Sequence, residues 1–299
     1  MKVSLIIPCF NEEGNVEPLF ETVVRTFDGR VGDYEFVFID DGSTDRTAER
    51  LDALAAGTGT PVKVIHFSRN YGKESAILAG LTEASGDCFT IMDGDLQQSP
   101  SIVIDMVGWL EEHPDCDCVT AFQETRNENP VMVFFKDNFY RIINRVSDVE
   151  FVSGASDFRT FRRNVRDAVL SLPETSRFSK GIFSWVGFEN HYIPYTADER
   201  HSGTTKWSFV KLWKYALSGI ISFTTTPLRL PLLLSAGTAA ASACTFLFDK
   251  KEKKLSALFA VGSLQLLAIG VLGEYIARVY QETKRRPVYL IKEIIDNQK

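Results

Sequence analysis

The chain has 299 residues, 44% hydrophobic and 24% charged, with 20 Gly and 11 Pro; this allows one large domain or two modest ones and excludes collagen-like, low-complexity and wholly disordered chains. The net charge of −6, from 39 acidic and 33 basic residues, offers no global basic field, so nucleic acid is not expected as a partner. The five cysteines contain no C-x-x-C pair; reduced thiols facing the cytosol are expected, rather than a disulfide framework or a zinc site.

The N-terminal apolar run is too short for a signal-peptide core and reads as a first strand. Further short apolar runs at 35–39, 62–66, 88–92 and 118–121 predict four more strands after the one at 3–7. Between the first two, Val16, Leu19, Phe20, Val23, Val24 and Phe27 form one stripe of an amphipathic helix. Similar helices are predicted at 44–55, 73–84 and 101–112. Helices alternating with near-continuous apolar strands imply an α/β fold, a mostly parallel sheet with helices on both faces. Beyond residue 122 the strand signals weaken and segments rich in Arg and aromatics follow.

Residues 206–226 mix Trp, Phe and Leu with Lys, as in an amphipathic helix at a membrane surface. Two uncharged runs, 230–248 and 255–273, follow; at about 1.5 Å per residue each spans roughly 28 Å, close to the hydrocarbon core of a bilayer. Separated by D-K-K-E-K-K, they predict a two-helix transmembrane hairpin over 227–280, and 281–299 reads as a cytosolic tail. Arg229 before the hairpin and Arg278, Lys284, Arg285 and Arg286 after it favour cytoplasmic ends, whereas Lys250, Lys251, Lys253 and Lys254 in the loop oppose that orientation. The expected organisation is a cytosolic domain at 1–205 on a multi-pass cell-membrane anchor.

In such sheets ligands bind beyond the C-terminal strand ends. Neither G-x-G-x-x-G after the first strand nor G-x-x-x-x-G-K-[ST] occurs, which removes dinucleotide oxidoreductases and P-loop NTPases. Acidic residues stand there instead: Asp40 and Asp41 after the second strand, Asp93 and Asp95 after the fourth. Carboxylates repel a diphosphate unless a divalent cation intervenes or they contact base or sugar hydroxyls. That pattern points to a nucleotide handled with Mg²⁺ or Mn²⁺. Each cluster alone also reads as a turn with a helix cap; their combination carries the signal.

The ordered motifs L-I-I-P-C-F-N-E-E at 5–13, F-I-D-D-G-S-T-D at 38–45, S-R-N-Y-G-K at 68–73, A-G-L-T-E-A-S-G-D at 79–87 and M-D-G-D-L-Q at 92–97 resemble family 2 glycosyltransferases of the GT-A fold. S-D-F-R at 156–159, R-F-S-K-G-I-F-S-W-V-G-F at 177–188, E-R-H-S-G-T-T-K-W-S at 199–208 and T-T-P-L-R at 225–229 narrow the resemblance. They look like the polyprenyl-phosphate glycosyltransferases, relatives of dolichol-phosphate mannosyltransferase and of the bactoprenol glucosyltransferases. The resemblance implies Pro8, Asn11 and Glu12 along the nucleotide, Asp40 at uracil or ribose, and Asp41 at ribose or diphosphate. It implies Asp93, Asp95 and Gln97 around sugar, phosphate and metal. Arg69 and Lys73 would meet the diphosphate, and Arg126, Lys136 and Arg141 the lipid phosphate, with Lys136 departing from the Arg or Ser common there. Asp157, preceded by Ser156 where relatives often have Gly, would by the resemblance be an acceptor-side or sugar-orienting carboxylate, against local capping as the alternative, and Arg200 and Lys206 would lie on a cationic lid.

The implied reaction moves glucose or N-acetylglucosamine from a UDP-sugar to polyprenyl phosphate with inversion. Lipid bilayer is an implied partner, and a homo-oligomer fits a small membrane hairpin. Two rivals remain: a processive polysaccharide synthase, for which a Q-x-x-R-W segment is missing, and a nucleotide-sugar-sensing scaffold, which would need the acidic constellation broken.

Overall fold

Parallel pairing of β1 (Lys2–Cys9) with β2 (Asp33–Asp40) on one side and β4 (Cys88–Ile91) on the other sets the centre of the sheet in the computed structural model. β3 (Val62–Phe67) extends it in parallel beside β2. The structure describes residues 1–123, 155–196 and 251–298, together with 141, 144, 145, 152, 228 and 237. They fall into two compact units: Met1–Tyr140, Phe151–Trp207 and Pro287–Lys299 form the first, and Arg141–Glu150 and Ser208–Arg286 the second.

In the first unit the predicted alternation holds. α1 (Val16–Phe27), α2 (Thr47–Gly57), α3 (Lys73–Glu83) and α4 (Pro100–Glu112) follow the first four strands, and β5 (Cys118–Gln123) comes next. α1 buries the expected stripe, Val16, Leu19, Phe20, Val23 and Phe27, with Val24 partly buried. These side chains join Leu5, Ile7, Phe36, Phe38 and the Val103, Met106 and Leu110 face of α4 in one core. α3 covers the sheet with the small residues Ser75, Ala76, Ala79 and Gly80 beside Ile77 and Leu81. A Cβ on its Gly80 would lie 2.5 Å from Ile6 Cγ2 and 2.8 Å from Ile39 Cδ1, so the helix reaches the sheet because that side chain is missing.

Three strands extend the five that were expected. β6 (Ala155–Arg162) runs antiparallel between β4 and β5, and β7 (Asn190–Tyr195) lies parallel to β5. β8 (Ile291–Asp296) pairs antiparallel with β3, completing the order β7-β5-β6-β4-β1-β2-β3-β8. Residues 281–299, expected as a tail, therefore supply an edge strand. Two short helices, α5 (Arg163–Ser171) and α6 (Ser179–Trp185), precede β7.

β8 is fastened at both ends. Tyr289 stacks on Phe67 with ring centroids 5.1 Å apart, and Ser68 N–H donates to Leu290 O at 3.0 Å. At the other end Asn297 Nδ2 donates to Ala55 O, Thr58 O and Thr60 O at 3.2, 3.3 and 2.9 Å, while its Oδ1 accepts from Val62 N at 2.9 Å. Replacing Asn297 by Ala leaves these groups to water or unpaired; the expected loss is about 1–2 kcal/mol, read as a lower urea midpoint.

The four described cysteines, Cys9, Cys88, Cys116 and Cys118, are free and buried. Burial pushes the Cys88 thiol up to about 12 and that of Cys118 to about 11, so neither is a ready nucleophile.

In the second unit, α7 (Lys251–Thr283) is a single helix of 33 residues. It corrects one expectation: Lys251, Lys253 and Lys254, read as a loop, begin this helix. Leu258, Leu266, Leu267, Ile269, Leu272 and Ile276 on it are all exposed. Among the described residues no helix is long and apolar enough to cross a membrane. The expected interfacial helix at 206–226 and nearly all of the first apolar run, 230–248, lie outside the described residues.

Candidate functional site

Of the residues singled out by sequence, Pro8, Asn11, Glu12, Asp40, Asp41, Arg69, Lys73, Asp93, Asp95 and Gln97 lie at or just beyond the ends of the parallel strands. After β1, Asn11 takes a left-handed backbone with φ 54°, a conformation that Asn tolerates better than most side chains. Its N–H donates to Ser43 Oγ at 3.0 Å and its Oδ1 accepts from Thr44 N at 2.8 Å. Glu12 N–H donates to Thr47 Oγ1 at 2.8 Å, and Glu12 Oε2 accepts from Asn15 Nδ2 at 2.6 Å. The N-E-E loop and the D-D-G-S-T-D loop are thus stitched together, with Pro8 half-buried in the strand beneath.

Asp40 and Asp41 are almost wholly buried, at 4% and 3% exposure, and their partners here are protein groups. Asp40 Oδ1 accepts from Ser43 N at 2.9 Å and Oδ2 faces His66 Nδ1 at 3.0 Å. Burial opposes its charge, but the bonds from His66 and Ser43 win and hold its carboxyl below the usual range. Asp41 accepts from Tyr71 N at 2.6 Å and Gly72 N at 2.8 Å. Burial, with Asp40 alongside, pushes its carboxyl up despite those two amides. Asp41 thereby holds the S-R-N-Y-G-K loop against β2. On that loop Arg69 is exposed, its guanidinium 4.2 Å from the centre of the Tyr71 ring.

A second cluster assembles across β4 and β6. Lys73, at the start of α3, places Nζ 2.6 Å from Asp93 Oδ1 and 3.1 Å from Asp157 Oδ2. Burial disfavours its charge, but the two carboxylates outweigh that and raise its pKa. Asp157 is likewise desolvated, yet Lys73, Lys180 and Arg159 hold it well below the ordinary carboxylate range. It is therefore a fixed anion at neutral pH and no proton donor. Its Oδ1 and the Nε of Arg159, two residues along the same strand, are buried without a hydrogen-bond partner among the described residues.

Asp93 is also gripped by a residue that sequence reading passed over. Gln98, 4% exposed, accepts from Asp93 N at 2.8 Å and donates to Asp93 Oδ2 at 3.1 Å. Asp95 Oδ1 accepts from Gln97 N at 3.2 Å across a turn in which Leu96 has φ 62°. Glu74 was passed over too: it accepts from Ser179 N at 2.9 Å and from Ser179 Oγ, fixing the start of α6 beside Lys180. Burial and the nearby Asp157 push the Glu74 carboxyl up.

Arg126, Lys136, Arg200 and Lys206 lie outside the described residues. Arg141 is exposed and belongs to the second unit. No group of three or more His, Cys, Asp or Glu able to hold a metal occurs among the described residues. The chemistry of Asp93, Asp95 and Gln97 nevertheless fits a hard divalent ion, which takes one or two protein carboxylates and completes its shell from substrate phosphates. The ammonium of Lys73 on Asp93 shows that a cation is accommodated at this carboxylate.

A mostly parallel sheet with carboxylates and cations at its strand ends fits a glycosyltransferase, and the comparison with known families shows that class. The chain belongs to glycosyl transferase family 2, whose model matches residues 4–170. CsbB of Bacillus subtilis (strain 168) is 40% identical over 97% of this chain and 91% of its own length. The bactoprenol glucosyl transferase of Shigella phage SfX is 37% identical over 98% of this chain and 99% of its own. The prophage bactoprenol glucosyl transferase homolog of Escherichia coli (strain K12) is 36% identical over the same shares. Among solved structures, glucosyl-3-phosphoglycerate synthase of Mycobacterium tuberculosis, in complex with Mn²⁺, UDP-glucose and phosphoglyceric acid, superposes with a TM-score of 0.50 at 20% identity, covering 74% of this chain and 77% of that one. Mannosyl-3-phosphoglycerate synthase of Rubrobacter xylanophilus gives 0.52 at 15%, covering 74% and 72%. These likenesses identify the fold.

Proposed function

We propose that this enzyme transfers one glucose or N-acetylglucosamine from a UDP-sugar to polyprenyl phosphate, with inversion. The observation that carries the reading is the Lys73–Asp93–Asp157 cluster at the sheet's C-terminal edge, in a chain akin to bactoprenol glucosyl transferases over nearly its whole length. Asn11, Glu12, Asp40 and Asp41 organise the nucleotide end, and Arg69 faces the diphosphate. Asp93, Asp95 and Gln97 would hold Mg²⁺ or Mn²⁺, which when bound neutralises charge on the departing diphosphate.

The acceptor phosphate is anionic at neutral pH, so the nucleophile needs no strong base. Its oxygen attacks the anomeric carbon as the bond to UDP breaks, giving a β-linked sugar phosphate. This chain's residues therefore work by position and charge. Lys73 holds Asp93 and Asp157 at fixed places, and Asp157 orients a sugar hydroxyl. Arg126, Lys136 and Arg141 meet the lipid phosphate, and Arg200 and Lys206 close over the donor.

The apolar runs anchor the chain in the cell membrane, with both ends cytosolic, where a lipid acceptor resides. Their lack of charge and the exposed apolar side chains of α7 support this reading. Full-length protein in detergent, given labelled UDP-glucose or UDP-N-acetylglucosamine and a short polyprenyl phosphate, is expected to yield a lipid bearing one sugar, labile to mild acid. A polymer, or no lipid product from either donor, overturns the proposal.

A further inference from the structure

One chain of hydrogen bonds joins the ends of three strands, and it starts from a buried histidine of β3. His66, near the end of β3, is 6% exposed. Its Nδ1 lies 3.0 Å from Asp40 Oδ2 on β2 and its Nε2 2.8 Å from Asp52 Oδ1 on α2. An ionised carboxylate only accepts, and a neutral imidazole has one N–H. Satisfying both carboxylates requires the imidazolium, donating from both nitrogens. Beyond Asp40 the chain continues: Ser43 N–H donates to Asp40 Oδ1 at 2.9 Å, Asn11 N–H to Ser43 Oγ at 3.0 Å, and Thr44 N–H to Asn11 Oδ1 at 2.8 Å. Asn11, at its far end, is the residue with φ 54°.

A buried ion pair is a costly way to fill a core, since apolar residues of similar volume are often no less stable. The cost has a use where direction matters. An imidazolium fixed from behind by Asp52 locks the rotamer of Asp40, and Asp40 locks Ser43 and the strained Asn11. We propose that His66 is a positioning residue for donor binding, bridging Asp52 and Asp40 so that the Asp40–Ser43–Asn11 chain presents the strand ends to a nucleoside diphosphate. The inference rests on the proposed UDP-sugar reading, in which Asn11 and Asp40 lie along the nucleotide.

The groups facing His66 are Asp40 from β2, Asp52 from α2 and Glu293, opposite it in register on β8. The Asp40 bond raises the His66 pKa, burial opposes it, and Asp52 raises it further. The sign follows. The bridge is complete below the ordinary histidine value of about 6.5 and is lost as pH rises through the higher folded value. One carboxylate then faces a lone pair, and donor affinity weakens.

The test is UDP binding to the full-length protein in detergent with Mg²⁺, at several pH values, beside steady-state kinetics. His66→Phe removes both bonds. His66→Asn keeps a donor near the Nδ1 position for Asp40 but does not titrate. The expected result for His66→Phe is a UDP Kd raised about tenfold, with KM for the donor rising more than kcat falls. His66→Asn is expected to bind more tightly than His66→Phe and to lose the rise in Kd that wild type shows above neutral pH. Folded His66→Phe with wild-type Kd overturns the proposal, as does an unchanged pH dependence in His66→Asn, which decides the matter even where His66→Phe does not fold. Wild type that binds no UDP at any pH overturns instead the UDP-sugar reading itself, and the inference with it.

Discussion

Asp95→Asn is expected to reduce sugar transfer by about a thousandfold, the scale seen when a group that stabilises charge in the transition state is removed. Under the proposed reading Asp95 is one of the carboxylates that would hold the divalent ion, beside Asp93, whose oxygens also meet Lys73 and Gln98. Asparagine preserves the size and the acceptor for Gln97 N, so the fold is expected to stand, with an unchanged circular dichroism spectrum and a thermal midpoint close to wild type. The loss then falls on turnover, and the dependence of the residual rate on Mn²⁺ concentration shifts to higher values. Near-normal turnover in a folded Asp95→Asn protein would remove Asp95 from the metal assignment.

Gly42→Ala is the substitution expected to cost most in stability. Gly42 has φ 65°, and an added Cβ would lie 2.6 Å from Asn70 N and in contact with the Arg69 carbonyl carbon. These are backbone atoms, so no rotamer change relieves the overlap. The left-handed conformation costs an alanine about 1–2 kcal/mol and overpacking about 1–3 more, so a total near 3 kcal/mol is expected, measured by urea denaturation. The loops holding Arg69 and Asp41 are forced apart by the same methyl group, and UDP affinity falls with stability. Unchanged stability in this variant would mean that the two loops do not touch.

Much of the sheet was legible because parallel strands covered on both faces read as uninterrupted apolar runs. β1 to β5 stand where such runs occur. β6 escaped because it lies at the site: Asp157 and Arg159 interrupt its apolar pattern, and their partners come from α3 and α6 rather than from neighbours in sequence. β8 escaped because its partner β3 lies far away along the chain, and no local signal identifies a pairing of that span. Within the site, Asp93, Lys73 and Asp157 were all singled out, yet their meeting was not foreseeable, since it depends on the antiparallel placement of β6 beside β4. Gln98 was passed over in favour of its neighbour Gln97 because the left-handed Leu96 resets which side of the chain faces Asp93. The protein partners of Asp40 and Asp41 were not foreseeable: besides Ser43 N of its own loop, Asp40 meets His66 of β3, and Asp41 meets the amides of Tyr71 and Gly72, about thirty residues on.

The pairing of β8 with β3 also orders events during synthesis. Val62 and Asn297, bonded across that edge, are 235 residues apart. While the intervening segments are being made, β3 is an unpaired sheet edge, a template for mispairing with other chains. The nascent chain must deliver α7 before its own edge strand emerges, so completion of the sheet comes after the apolar segments have left the ribosome. A release of the chain short of Pro287 would strand a nearly finished enzyme with an open edge and an untethered Ser68 loop.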